Sequence, residues 1–300
     1  MSSNNNAMDE LVYWAVEDLR MSRKQATVFC SDFEIDSETG LARYPGDLLL
    51  EGESLERLPE KLKNVKGSLV LDNCTELASL PKGLTVEEMT SLKSCTSITE
   101  IPEGLNAQAV DLTGCINLVT IPEDFETDWL ILNGCLNLKG LPKGLKVNAS
   151  LHLEGCRDLE VLPEGLRVGC GLILEGCQSL VSLPPRVQVG HFVTIRNCDN
   201  LVSLPADLRV ISQSEECPGS LIIEGCPKLE SYYCEDPSKI IDLSRVASRL
   251  VLRRWKNLTT LPHGLKVKSK LVLSGCPALT ALPDDLKVGI NLVLTNCPNL

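Results

Sequence analysis

Residues 151–168 read LHLEGCRDLEVLPEGLRV, and this stretch decides the fold because its skeleton, LxLxxCxxLxxLPxxLxV, recurs along most of the chain. Between residues 74 and 198, the cysteine of one unit follows that of the previous unit after 20 or 21 residues. The pattern then resumes after a gap, with Trp255 in one cysteine position. Spacing this regular indicates a repeat architecture. Ten of the fourteen cysteines lie at this repeat position: Cys74, Cys95, Cys115, Cys135, Cys156, Cys177, Cys198, Cys226, Cys276 and Cys297.

The LxL step explains why the unit must repeat. Alternate side chains of a strand share a face, so Leu151 and Leu153 point to one side and His152 to the other. One unit cannot bury its own leucines, and neighbouring units therefore stack to form a common core. The pattern matches the leucine-rich-repeat signature, LxLxx(N/C)xL at about 20 to 29 residues. We expect a right-handed, α/β-type leucine-rich-repeat solenoid with a parallel β-sheet on its concave face.

The convex side of the solenoid is expected to contain little helix. Only about ten residues separate the Leu141-Pro142 step from the next strand at Leu151, and proline and glycine in such segments disfavour helix. We expect about eleven rungs of 20–21 residues over residues 47–300, with insertions at 211–220 and 232–239. Residues 292–300 repeat only the opening of a unit, so an open C-terminal end is expected.

The short unit and its LPxxL step resemble the leucine-rich repeats of secreted bacterial effectors of the IpaH and YopM type. That family mostly has asparagine where this chain has cysteine, and the LxLxGCxxLxxLP phrase also resembles the longer repeats of plant intracellular immune receptors. The resemblance implies a target-recognition domain. In IpaH-type proteins a separate C-terminal ubiquitin-ligase domain performs the chemistry, and here it would lie beyond residue 300. Three steps that carry the resemblance are Leu80-Pro81, Leu162-Pro163 and Leu282-Pro283.

The first 46 residues contain no repeat. Residues 2–7 are polar and rich in asparagine, and we expect them to be disordered. The apolar spacing over residues 9–26 predicts one amphipathic helix that covers the open N-terminal end of the solenoid as a cap. A degenerate first rung then follows at residues 48–52. The apolar residues at helical spacing are Leu11, Val12, Ala15 and Leu19.

The cysteines at the repeat position are expected to be free thiols in a reducing compartment, either a cytoplasm or a host cytoplasm after export without a cleaved signal peptide. Every rung uses its cysteine in the same way, and a small buried thiol can donate to a loop carbonyl. Cys170, Cys217 and Cys234 lie outside this pattern. No CxxC pair occurs, so we predict no metal site and no cofactor.

Composition narrows the function classes. The formal net charge of −11 and sequence pI of about 4.9 argue against nucleic-acid binding and favour basic partners. No apolar run approaches the length of a membrane span, and no signal peptide is recognisable. The sequence contains no GxSxG, HExxH or phosphate loop, so we expect no enzymatic activity within these 300 residues. We also expect a monomer.

The middle residue of each LxL step and its neighbours on the same face define the candidate site. They form an unusually apolar column flanked by aromatic and charged residues, which are types that anchor protein interfaces. The alternative is that valine and isoleucine are simply good strand formers. We predict a protein partner on the concave face through Trp129, Ile131, His152, Glu154, Ile173, Glu175, Phe192, Thr194, Arg196, Ile222, Glu224, Val251, Arg253 and Val272.

The insertions lie where acidic residues give way to basic ones. Glu215, Glu216 and Glu224 are followed by Arg249 and Arg253 around the exceptional Trp255. One interpretation is mutual neutralisation between adjacent rungs, and the other is a functional loop that carries Tyr232 and Tyr233.

Three functions follow from these patterns. The first is a protein-interaction module that recognises the target of a bacterial effector, including the front half of a ubiquitin ligase. The second is a stoichiometric inhibitor or adaptor. The third is an immune-sensor repeat array.

Overall fold

The computed structural model describes residues 2–205, 207–211, 219–240, 243 and 246–300. The chain forms two compact units, unit 1 (Met1–Leu138) and unit 2 (Lys139–Leu300). Each unit is a solenoid of stacked parallel strands that repeats about every 21 residues. The predicted parallel-strand repeat architecture is thereby confirmed.

Unit 1 begins with two helices, α1 (Ser2–Glu17) and α2 (Arg23–Cys30). The prediction of a single helix over residues 9–26 is therefore wrong. Residues 2–7, for which disorder was predicted, lie in α1 instead.

The break between the two helices has a local cause. Arg20 has a φ of 52°, a left-handed conformation that an α-helix does not continue through. Ser22 then starts α2, because its side chain accepts a hydrogen bond from the Gln25 N–H while the Gln25 side chain accepts one from the Ser22 N–H. The single-helix prediction missed this capping box.

Helix α1 lies against the first coil of unit 1. The Trp14 indole N–H donates to the carbonyl oxygen of Arg57 at 2.8 Å, and Lys61 Nζ lies 2.7 Å from a carboxylate oxygen of Glu10. Leu11 and Ala15 on the same helix are buried. Helix α1 is therefore joined to this coil by a hydrogen bond and an ion pair and buries apolar side chains of its own.

The strands of unit 1 form an antiparallel pair followed by parallel ladders. β1 (Glu34–Ile35) pairs antiparallel with β2 (Ala42–Tyr44), and every later pairing in the unit is parallel among the residues that the structure describes. The later strands are β3 (Leu48–Leu49), β4 (Leu62–Val65), β5 (Leu69–Val70), β6 (Thr85–Ser91), β7 (Asn106–Asp111) and β8 (Glu126–Ile131).

Unit 2 contains two kinds of strand, a two-residue strand and the longer strand of the LxL step. The short strands are β10 (Arg167–Val168), β12 (Gln188–Val189), β14 (Arg209–Val210), β17 (Lys266–Val267) and β19 (Lys287–Val288). The long strands are β9 (Lys146–His152), β11 (Gly171–Glu175), β13 (Phe192–Arg196), β15 (Ser220–Glu224), β16 (Arg249–Arg253), β18 (Lys270–Ser274) and β20 (Asn291–Thr295).

Strand alternation places the core as the sequence predicts. Leu151 and Leu153 are fully buried, whereas His152 between them is partly exposed. The later leucines of the same repeat unit, Leu159 and Leu166, are also buried. Burial of each leucine is worth roughly 1.5–3 kcal/mol, so the stacked leucines supply the main apolar stabilisation of each unit.

The thiols of the repeat position lie inside the stack and donate hydrogen bonds. Cys95 Sγ lies 3.0 Å from the carbonyl oxygen of Leu71, one coil earlier. The same arrangement recurs at Cys74, Cys115, Cys135 and Cys177, with distances of 3.0, 3.0, 3.3 and 3.1 Å. The predicted role of a small buried donor to a carbonyl is confirmed at these rungs. Burial raises the pKa of the Cys95 thiol to about 12, so it keeps the proton it donates.

The second insertion, predicted over residues 232–239, adds helix instead of a loop. Helix α3 (Pro227–Glu235) and a 3₁₀ turn (Pro237–Lys239) occupy it. Proline at the first position of α3 favours this start, because that position needs no backbone donor. The other predicted insertion, at 211–220, lies mostly outside the described residues, as does Cys217.

Trp255 occupies the cysteine position of the rung after α3. Its side chain is 1 % exposed and stacks on Tyr233 of α3, with ring centroids 6.1 Å apart. The added helix thus accompanies a much larger side chain at the next rung. Tyr233 is itself buried and belongs to the core of this region.

Candidate functional site

The middle residue of each LxL step points to one surface of its unit. We call this surface the strand face. In unit 1 the register aligns Val70, Ser91, Asp111 and Ile131 on adjacent strands. In unit 2 it aligns the seven residues His152, Ile173, Thr194, Ile222, Val251, Val272 and Val293. The columns predicted from the sequence are therefore confirmed within each unit.

The exposure of this column differs from the prediction. Thr194, Val251 and Val272 are only 6 %, 1 % and 7 % exposed, so they are not the exposed anchors that the sequence analysis expected. Val251 lies between Arg249 and Arg253 on the same face of β16. The aliphatic stems of such long side chains cover apolar neighbours. The predicted exposure of Thr194, Val251 and Val272 in this apolar column is accordingly wrong.

The other predicted site residues retain some accessible surface. Apart from Trp129, which is exposed, they are only partly accessible. These partly exposed residues are Ile131 in unit 1 and His152, Glu154, Ile173, Glu175, Phe192, Arg196, Ile222, Glu224 and Arg253 in unit 2.

Trp129 is the prominent apolar feature of the unit 1 strand face. It lies on β8 with 45 % of its surface exposed, and its partner on the adjacent strand is the small residue Ala109. Ile131 follows two residues later on the same face and is partly exposed. The exposed part of the indole is available for contact with another molecule.

A polar network fills the neighbouring part of the unit 1 strand face. Lys93 Nζ lies 3.6 Å from a carboxylate oxygen of Asp72 and 3.5 Å from one of Asp111. The Ser91 hydroxyl donates to Asp72 at 2.5 Å, and the Thr113 hydroxyl donates to Asp111 at 2.7 Å. Both carboxylates are therefore satisfied within the unit, and the network holds the strand face in one arrangement.

Glu224 joins three arginines on unit 2. Its carboxylate oxygens lie 3.3 Å from Arg196 Nε, 3.9 Å from an Arg253 nitrogen and 3.1 Å from Arg254 Nε. Arg196 also lies 3.7 Å from the carboxylate of Glu175. Ion pairs between adjacent rungs are thus present for these residues, although one carboxylate cannot balance three arginines. Glu215 and Glu216, named in the same prediction, lie outside the described residues.

Phe192 covers the strand next to its own on unit 2. Its register partner is Gly171, and a Cβ built on this glycine would lie 2.2 Å from the end of the Phe192 ring. Only glycine leaves room for the ring here. Phe192 is thereby held against β11, with part of its surface accessible.

The sequence analysis did not identify the buried donors of the unit 2 strand face that lack a hydrogen-bond partner among the described residues. One of them, Arg196 Nε, lies 3.3 Å from a carboxylate oxygen of Glu224. The Ser220 hydroxyl and the Arg249 Nε are buried and have no hydrogen-bond partner among the described residues. The two residues are register partners on β15 and β16. Their place beside Phe192 in the aligned columns was a signal available in the sequence, but burial and missing partners are visible only in the structure.

The predicted functional loop with Tyr232 and Tyr233 does not form as expected. Tyr233 is buried against Trp255, and Tyr232 is partly covered, with Lys239 Nζ 4.0 Å from its ring centroid. The carboxylate of Glu230 is turned inward and accepts a hydrogen bond from the Asn257 N–H at 2.7 Å. Three of the nine residues of α3 are buried, and Tyr233 is one of them.

No family model matches the chain, and no curated protein matches it significantly. Among the residues that the structure describes, no helix has both the length and the apolar character required to cross a bilayer.

Proposed function

We propose that the chain is a protein-interaction module that binds a protein partner through its strand face. The observation that carries the proposal is Trp129, an exposed indole on a hydrogen-bonded strand. Tryptophan is enriched among the residues that dominate binding energy at protein interfaces. A side chain held on a regular strand also loses little freedom on binding, so a few anchors give useful affinity.

The finer assignment rests on the repeat itself. The LxLxxCxxLxxLP unit supports a leucine-rich-repeat solenoid with its sheet on the concave face, and the short LPxxL step supports the IpaH and YopM type. Under this proposal the chain is the target-recognition domain of a bacterial effector. It presents a surface and performs no chemistry of its own.

Site-specific photo-crosslinking tests the proposed surface. p-Benzoylphenylalanine replaces Trp129 in one variant and Tyr13, an exposed aromatic residue of α1, in a matched control. After irradiation in host-cell and bacterial lysates, we expect a specific protein adduct from position 129 alone. Equal adducts from both positions, or none from position 129, would contradict the proposal.

A further inference from the structure

We propose that the strand face of unit 2 binds an acidic segment of a protein partner, with one partner carboxylate held between Ser220 and Arg249. The inference rests on the proposed function, since it names the partner chemistry for part of the same kind of face. It differs from the expectation of basic partners that the acidic composition suggested.

The charge of this surface is opposite to that of the whole chain. From β11 to β18 the strand face of unit 2 carries four cations and two carboxylates, whereas the chain has a formal net charge of −11. A local cationic area on an acidic protein selects an anionic segment and repels the basic partner that composition alone suggests. The cations are Arg196, Arg249, Arg253 and Lys270, and the carboxylates are Glu175 and Glu224.

Glu224 does not cancel this positive charge. Its single carboxylate is shared by Arg196, Arg253 and Arg254, at distances of 3.1 to 3.9 Å. Each guanidinium has five N–H donors, so most of them stay available after these contacts. The side chains of Arg196 and Arg253 remain 35 % and 43 % exposed. Glu224 therefore orients the arginines more than it neutralises them.

The position of the carboxylate follows from two unsatisfied donors. The Ser220 Oγ and the Arg249 Nε are both buried and lack a hydrogen-bond acceptor among the described residues. They are register partners, and adjacent strands lie about 4.8 Å apart. A buried donor without an acceptor is costly and rare in folded proteins. One carboxylate has two acceptor oxygens, which is the number of acceptors that these two donors require.

Phe192 gives the surface a fixed apolar contact beside these donors. It is the register partner of Ser220 and is held over Gly171. An acidic segment that also carries an apolar side chain would contact the ring and the guanidinium groups together. A long nucleic acid fits less well, because its many phosphates would meet the repulsion of the remaining acidic surface.

Fluorescence anisotropy with short labelled peptides tests the inference in the full chain. The probes are hexaglutamate, hexaglutamine and an oligodeoxythymidylate, each titrated at low and at physiological salt. We expect hexaglutamate to bind best and to weaken with salt. Arg249→Gln is expected to weaken hexaglutamate at least fivefold, Ser220→Ala about twofold to fivefold, and Arg249→Lys by an intermediate factor because the charge remains while the Nε donor is lost.

Arg167→Gln is the matched control, since Arg167 is an exposed arginine of unit 2 on the short strand β10. It is expected to bind hexaglutamate within twofold of the wild type. Equal binding by Arg249→Gln and the wild type, equal binding of hexaglutamine, or tighter binding of the oligonucleotide would overturn the inference. Crosslinking at position 129 is unaffected by these outcomes, so failure here is distinguishable from failure of the proposed function.

Discussion

The thiol of Cys177 lies 3.1 Å from the carbonyl oxygen of Leu153, one coil earlier in unit 2. Each such bond ties a turn to the strand of the preceding rung. Its repetition explains why a cysteine recurs where small size and a single donor are both required. The Leu153 carbonyl also accepts the Cys156 N–H at 3.5 Å, so the thiol supplies the shorter of the two hydrogen bonds to this buried oxygen.

We expect Cys177→Ala to lower the free energy of unfolding by about 0.5–1.5 kcal/mol, because the buried Leu153 carbonyl loses its thiol donor and keeps only the longer bond from the Cys156 N–H. Urea denaturation measures the change. Cys170→Ala is the control, since Cys170 lies in the same unit but is only partly buried and away from the repeat position. A loss for Cys170→Ala as large as that for Cys177→Ala would show that the hydrogen bond is not the cause.

Alkaline pH should destabilise the fold through the buried thiols. Burial raises the pKa of Cys95 and Cys115 to about 12, from an ordinary value of 9.0. Below pH 9 both the folded and the unfolded chain keep these protons. Between pH 9 and 12 only the unfolded chain loses them, which favours unfolding.

In thermal melts in reducing buffer, we therefore expect a lower melting temperature at pH 10.5 than at pH 8. The double variant Cys95→Ser, Cys115→Ser removes both titrating groups. Its melting temperature should change less between the two pH values. An identical pH dependence in the wild type and this variant would exclude the two thiols as the cause.

Trp129→Ala should leave folding nearly unchanged, whereas Leu130→Ala on the same strand should cost about 2–5 kcal/mol as a core truncation. The indole is 45 % exposed and Leu130 is fully buried. In unit 2, Leu153→Ala is expected to behave like Leu130→Ala. Denaturant melts of the three variants check this, and a large loss for Trp129→Ala with none for the leucines would mean that the strand register is wrong.

Gly171→Ala should destabilise unit 2 by about 0.5–1.5 kcal/mol, because the new Cβ would overlap the end of the Phe192 ring and force this side chain from its position. The same substitution in a Phe192→Ala background should cost much less, since the overlapping ring is absent. A double-mutant cycle in urea measures the coupling. Additive effects would show that Phe192 does not lie over Gly171 in solution.

Placing cysteine at position 255, as in the other repeat units, should lower the free energy of unfolding. Trp255→Cys removes a buried indole that stacks on Tyr233 and is expected to cost about 3–5 kcal/mol. Trp255→Phe should cost less, because an aromatic ring remains and the buried indole N–H, which has no partner among the described residues, is removed. Equal stability of Trp255→Cys and the wild type in denaturant melts would contradict the stabilising contact between Trp255 and Tyr233 of α3.

The parallel rungs, the register of Thr194 with Ile222 and the thiol donation were predictable because each follows from a short-range period. Strand alternation fixes which residues share a face, and stacking then fixes the partners. The break at Arg20 was not predictable from apolar spacing, since the spacing of Leu11 and Leu19 fits one helix as well as two. The capping box at Ser22 was the missed signal.

The burial of Val251 and Val272 was not predictable either. A side chain on the strand face is exposed or covered according to what its neighbours do, and the stems of Arg249 and Arg253 are long enough to cover Val251. The unsatisfied donors of Ser220 and Arg249 likewise depend on three-dimensional packing. Sequence patterns therefore located the face, and only the structure distinguished its anchors from its core.

Quantitative capture of partners tests the central claim most directly. The wild type, the double variant Trp129→Ala, Ile131→Asp and the control Tyr13→Ala are immobilised in equal amounts, exposed to the same lysates and compared by mass spectrometry. We expect one or more proteins retained by the wild type and Tyr13→Ala and lost from the double variant, with all three chains equally folded. Equal retention by all three chains would contradict binding through the strand face.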